Sequence, residues 1–210
     1  MQENFTEMVF LLDKSGSMQG LEQDTIGGFN SMLAKQRQQE GAAYVTTVLF
    51  SDKSLVIHDR VAIEQVEPLS EKDYQAVGCT ALLDALGGTM EHIFHLQQGS
   101  AGRPQQTLFV IITDGYENAS VEYRYQEVKH LLNNAKEQYG WEFLFLGANI
   151  DVAEEADRLG IGRKRAMKFS CCTQEITSNF AAINACFEVV RTEKVLSDKE
   201  IEQIKQRYNK

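Results

Sequence analysis

The sequence contains no C-x-x-C pair, no apolar run long enough to cross a bilayer, and fewer basic than acidic side chains. Each shortage excludes something. The four cysteines are Cys79, Cys171, Cys172 and Cys186, with no matching His pair, and adjacent Cys171 and Cys172 would point to opposite faces of a strand. A disulfide framework is therefore not expected, and free thiols suit a reducing compartment. Twenty-one Lys and Arg against 30 Asp and Glu leave a net charge of -9, which opposes binding to phosphate backbones or anionic lipid, so neither nucleic acid nor membrane is an expected partner. The opening residues to Glu7 are acidic, and the apolar run Met8 to Leu12 is too short for a signal-peptide core. A cytoplasmic location is the expectation.

Several catalytic signatures are also missing. There is no P-loop and no Gly-x-Ser-x-Gly, and Gly160-Ile161-Gly162 lacks the third glycine of a dinucleotide fingerprint. A phosphotransferase of the haloacid-dehalogenase kind needs a second Asp two residues after the first, and Ser15 stands there instead. No internal repeat, low-complexity segment or interdomain linker divides the 210 residues, and 43% hydrophobic content suffices for one core.

What is present is an alternation of strand and helix patterns. Met8 to Leu12 reads as a buried parallel strand that opens into the turn-prone Asp13-Lys14-Ser15-Gly16-Ser17-Met18. Ile26, Phe29 and Leu33 mark the first helix, and Tyr44 to Phe50 the second strand. Ser51 to Ser54 is too short for a parallel crossover, so the strand that follows through His58 must run antiparallel. Leu82, Leu86, Met90, Ile93 and Phe94 give a helical stripe, Thr107 to Thr113 a central strand, Tyr125 to Tyr139 another helix and Trp141 to Leu146 a fifth strand. Asp151 with Glu154 forms a capping box, Arg165 to Phe169 reads as an edge strand, and Ile176, Phe180, Ile183, Phe187 and Val190 lie on one helix face. The fold class is thus α/β: a doubly wound, mostly parallel six-stranded sheet of order 3-2-1-4-5-6, strand 3 antiparallel, with helices on both faces.

In such a sheet the first and fourth strands are neighbours, which brings Asp13 and Asp114 together at their carboxyl ends. Asp13-x-Ser15-x-Ser17, Thr80 ahead of a helix and Asp114 ending a later strand resemble the metal-ion-dependent adhesion site of the von Willebrand factor A (vWA) family. The resemblance covers roughly residues 5 to 190 and implies a stand-alone, intracellular bacterial type of vWA domain over residues 1–195, followed by a short charged helix or tail over 196–210. It further implies that the protein is not an enzyme. Ser15 and Ser17 would ligate Mg2+ directly, with Mn2+ or Ca2+ as substitutes. Thr80 and Asp114 would alternate between direct and water-mediated contact, and Asp13 would orient the ligands. An oxygen-only site of this kind leaves one position for an Asp or Glu of a partner protein. Intracellular members resemble partners of AAA-type ATPases or products of stress-response operons. The competing readings are a Mg2+-dependent phosphate-ester hydrolase and a vWA scaffold with a vestigial site. Cys79, where Gly is frequent, and Ala81, where Pro is frequent, depart from the family pattern. The bland reading of all five residues is turn formation and helix capping.

Overall fold

The sheet grows outward from β1 (Phe5–Asp13), every residue of which is buried. A strand covered on both faces must be apolar on both. Met8, Phe10 and Leu12 enter one core, while Val9 and Leu11 enter the other. The computed structural model describes residues 5–99, 103–168, 173–193 and 195–208. β1 pairs in parallel with β2 (Ala42–Phe50) on one side and β4 (Gln106–Thr113) on the other. β3 (Ser54–Ala62) adds antiparallel to β2, and β5 (Glu142–Gly147) and β6 (Ala166–Lys168) follow β4 in parallel. The order is β3-β2-β1-β4-β5-β6, as the alternation of strand and helix patterns implied.

Helices cover both faces. α1 (Glu22–Gln36), α5 (Thr173–Glu193) and α6 (Asp198–Tyr208) close the first core, with Phe10 edge-on to Phe29 and tilted against Phe187. α2 (Leu82–Gln98), α3 (Tyr125–Tyr139) and α4 (Val152–Leu159) close the second, where Phe109 stacks between Trp141 and Phe143. Ile176, Phe180, Ile183, Phe187 and Val190 are all buried, as their spacing required. None of the described helices is long and apolar enough to cross a membrane.

Three details differ from the sequence reading. β3 continues past His58 to Ala62, because register shifts opposite Val45 to Val48 and a positive φ of 50° at Arg60 absorb an irregularity and let Val61 and Ala62 pair again with Val45 and Tyr44. β6 is three residues long; Phe169, Cys171 and Cys172 lie outside the described residues, while Cys79 and Cys186 are free thiols. The segment expected as a charged tail lays Leu196, Ile201 and Ile204 into the same core as α5.

α1 and α5 approach closely at Gly28, where a Cβ would overlap the Phe180 ring, whereas Gly27 faces open space. The two glycines therefore predict opposite outcomes. Gly27→Ala should stabilise by about 0.5–1 kcal/mol through helix propensity, while Gly28→Ala should destabilise by about 1–3 kcal/mol through overpacking. Denaturant melts of both variants check this, and equal shifts would refute the close packing.

Candidate functional site

The loop after β1 is tied down before any functional side chain is considered. Lys14 donates its backbone N–H to the carbonyl of Phe50 at 2.7 Å and accepts from Val77 at 2.8 Å, and Gly16 donates to Gly78 at 2.9 Å. The Tyr74 hydroxyl, buried, donates to the carbonyl of Asp13. Gly78 has φ of +89°, a conformation that L side chains rarely adopt, and any Cβ there would run into the Asp52 carboxylate. Asp52 in turn accepts the N–H of Cys79 at 2.9 Å, so the hairpin turn after β2 positions the segment leading to Thr80.

On this frame the five sequence-predicted residues are brought together. Asp13 Oδ1 accepts the backbone N–H of Ser15 at 2.7 Å, and Oδ2 accepts the Thr113 hydroxyl at 2.6 Å. The hydroxyls of Ser15 and Ser17 are 3.0 Å apart, and Ser17 donates to Asp114 Oδ1. Thr80 and Ser17 flank Gly115, where a Cβ would come within 3.3 Å of Thr80 Oγ1 and 3.4 Å of Ser17 Oγ. Asp13, Ser15, Thr80 and Asp114 are buried, and Ser17 is exposed. Burial raises the pKa of both carboxyls. The Thr113 and Ser15 hydrogen bonds work against the shift at Asp13, and the Ser17 bond works against it at Asp114.

This geometry corrects the reading of a complete metal-ion-dependent adhesion site. Among the described residues, no group of three or more His, Cys, Asp or Glu side chains is gathered that could hold a metal ion. Both oxygens of Asp13 are engaged by protein donors, the Ser15 N–H and the Thr113 hydroxyl. Oδ2 of Asp114 is buried with no hydrogen-bond partner among the described residues. Two carboxyls and three hydroxyls are all that the site gathers, and that shortage of acidic ligands argues against a bound Mg2+, Mn2+ or Ca2+. Metal-dependent engagement of a partner, and the hydrolase that shared the Mg2+ premise, fall with it. What the residues form is a hydrogen-bonded network.

Sequence reasoning missed the residues that hold the loop after β4. Glu117 accepts the backbone N–H of Leu83, Ala119 and Ser120 at 2.9, 2.9 and 2.7 Å. Asp84 accepts those of Val121, Glu122 and Tyr123 at 2.9, 2.9 and 2.8 Å. Asn118 and Thr80 exchange two bonds, Thr80 N–H to Asn118 Oδ1 at 2.9 Å and Asn118 N–H to the Thr80 carbonyl at 3.0 Å. These are contacts to backbone donors, which leave no periodicity. The one available signal was a dense run of Asn, Asp, Glu and Ser between a strand and a helix.

The von Willebrand factor type A domain pattern matches residues 7–178. The chain belongs to the von Willebrand factor type A domain family, whose domains are canonically non-catalytic adhesion and interaction modules. Among solved structures it is similar to proximal thread matrix protein 1 from the mussel byssus (14% identity, TM-score 0.60, covering 87% of this chain and 46% of that one). It is also similar to a D319A mutant of the PilB minor pilin from Streptococcus sanguinis (14% identity, TM-score 0.63, 92% and 62%). A third likeness is to the ArnB paralog VWA2 from Sulfolobus acidocaldarius (14% identity, TM-score 0.54, 87% and 46%). At that identity the likeness is one of fold, and the chain spans only about half to three-fifths of the length of these structures. No curated protein matches the sequence significantly.

Proposed function

We propose that the protein is a binding module that docks another protein on the carboxyl edge of its sheet, directly and without a bridging cation. The observation that supports this most is where the apolar surface lies. Of the large hydrophobic side chains exposed among the described residues, Leu55, Val56, Val77, Tyr116 and Val121 all sit at or next to this edge, and only Val195 lies elsewhere. Apolar side chains gathered around a polar centre are the anatomy of a protein-binding patch. Asp13, Ser15, Thr80 and Asp114 are buried at this edge, and Ser17 is the exposed hydroxyl among them, within reach of a partner. The acidic partner residue expected from the family loses its rationale with the cation, because a carboxylate there would face Asp13 and Asp114 unaided. A cytoplasmic setting belongs to this reading as well, since the free thiols of Cys79 and Cys186 suit a reducing compartment.

Photo-crosslinking tests the reading. A benzophenone side chain in place of Tyr116, with a second variant carrying it in place of Tyr139 on α3, should give a discrete protein adduct in host cells at position 116 and none at 139. Adducts at 139 alone would move the interface to the helical face and refute the edge.

A further inference from the structure

We infer that the loop of residues 115–123 is a preformed apolar hook and that its occupant is a basic, apolar segment of a partner protein. This deepens the edge-docking reading and rests on it. Val121 is 90% exposed, yet its backbone is fixed: its N–H is held by Asp84 at 2.9 Å, and the next two N–H groups go to the same carboxylate. Behind it, the Tyr123 ring lies against α2 so closely that a Cβ on Gly87 would overlap it. Ahead of it, Tyr116 is half exposed, and its hydroxyl accepts the N–H of Asp151 at 2.9 Å, which ties the loop to the one after β5. An apolar side chain on a loop held this firmly loses little further conformational entropy when it is covered. Rigidity and exposure together are what distinguish Val121 from a stray surface valine.

The partner's chemistry follows from charge. Glu91, Glu122 and Glu127 line the shallow groove of about 420 Å³ beside the hook, with Tyr123 and Leu131 supplying its apolar surface. Glu117 and Asp84 add two more carboxylates at the base of the loop. The basic side chains here are Arg124, which follows the loop as the N-cap of α3, and His130 on the wall of the groove. A chain with a net charge of -9 repels a second copy of itself, so self-association is the weaker solution. A segment carrying Lys or Arg beside an aliphatic or aromatic residue satisfies both features: the apolar side chain covers Val121, and the cation lies in the groove among the glutamates.

The test uses a phage-displayed library of random short peptides panned on the immobilised full chain, with enriched clones remeasured as synthetic peptides. Enriched sequences should pair a basic with an apolar residue. Their affinity should fall about tenfold or more on Val121→Ser and weaken with added salt, and it should survive Val121→Ile. Glu122→Lys should slow association. Melting temperature should not change in Val121→Ser, because the side chain is exposed. Peptides that bind Val121→Ser as well as wild type but fail on Tyr116→Ala overturn the hook and leave the edge reading standing. Loss on Val121→Ser alone supports the hook and narrows the edge to this loop. Binding unchanged in both variants, or no enriched clone, overturns both.

Discussion

A Glu7→Gln variant should match the wild type in stability below about pH 4.5 and exceed it by about 3 kcal/mol above pH 7. Glu7 lies in β1 with its side chain fully buried, and Nε of Arg60 approaches its Oε2 at 3.1 Å. Neither carboxylate oxygen finds a hydrogen-bond donor in good geometry, however. Burial therefore outweighs the attraction of Arg60 and the weaker help of the Gln97 amide, and raises the pKa from 4.5 to about 7. The sign follows from proton counts. Between those two values the unfolded chain has released the Glu7 proton and the folded chain has kept it, so stability falls as pH rises through the window. Below the window the folded side chain is neutral and close in shape to Gln. Arg60 stays accommodated in the variant, since Nη1 donates to the carbonyl of Leu96 at 3.0 Å and the guanidinium lies over the Phe5 and Tyr44 rings. Urea melts of both proteins across the window check the result, and a constant difference between them would mean that Glu7 is ionised throughout.

Arg191→Ala should cost about 2–4 kcal/mol, or a fall in Tm on the order of 4–16 °C for a chain of this size. The Arg191 guanidinium finishes α1 from across the core. Nη1 donates to the carbonyl of Gln36 at 2.7 Å and to its Oε1 at 3.2 Å. Nη2 donates to the carbonyls of Gln39, Glu40 and Gly41 at 3.2, 3.1 and 2.5 Å. Helix ends leave carbonyls without intrahelical partners, and a planar fork of donors can serve several at once. Water replaces the bonds at exposed Glu40 and Gly41 more readily than at buried Gln36, which keeps the estimate below the sum of five bonds. Arg191→Lys should recover less than half of the loss, because a single ammonium cannot span the same acceptors. Full recovery with Lys would show that charge at the helix end, and not the fork, carries the effect.

The sequence was most legible where burial is two-sided. The central runs of β1 and β4, Met8 to Leu12 and Leu108 to Ile112, must be apolar on both faces, and the heptad-like stripes of α2 and α5 must recur, so composition and period located them. Local capping was legible too: Ser197 N–H reaches Glu200 at 2.7 Å as its capping box required, whereas at α4 only half of the box forms, Glu154 donating its N–H to Asp151 Oδ1 at 2.9 Å while the Asp151 N–H goes to Tyr116. The continuation of β3 was not legible, because Asp59 and Arg60 interrupt the alternation and the irregularity that accommodates them depends on β2. At the site, the positions of Asp13, Ser15, Ser17, Thr80 and Asp114 followed from topology. Their chemistry did not, because whether a carboxylate faces an ion or a neighbouring hydroxyl depends on donors such as Thr113 and Tyr74, which carry no motif.

The position of β1 in the middle of the sheet has a consequence during synthesis. β1 is made first, but its second neighbour, β4, exists only once Thr113 has been added, and the helix that covers Phe10 and Phe29 begins at Thr173. Until then the nascent chain carries an apolar strand with an open edge, and α1 has no lid. Pairings this distant in sequence close slowly, and the hydrophobic surface they leave waiting is what chaperones cover. The native core on that face therefore closes only after α5 and the helix that carries Ile201 and Ile204 have emerged.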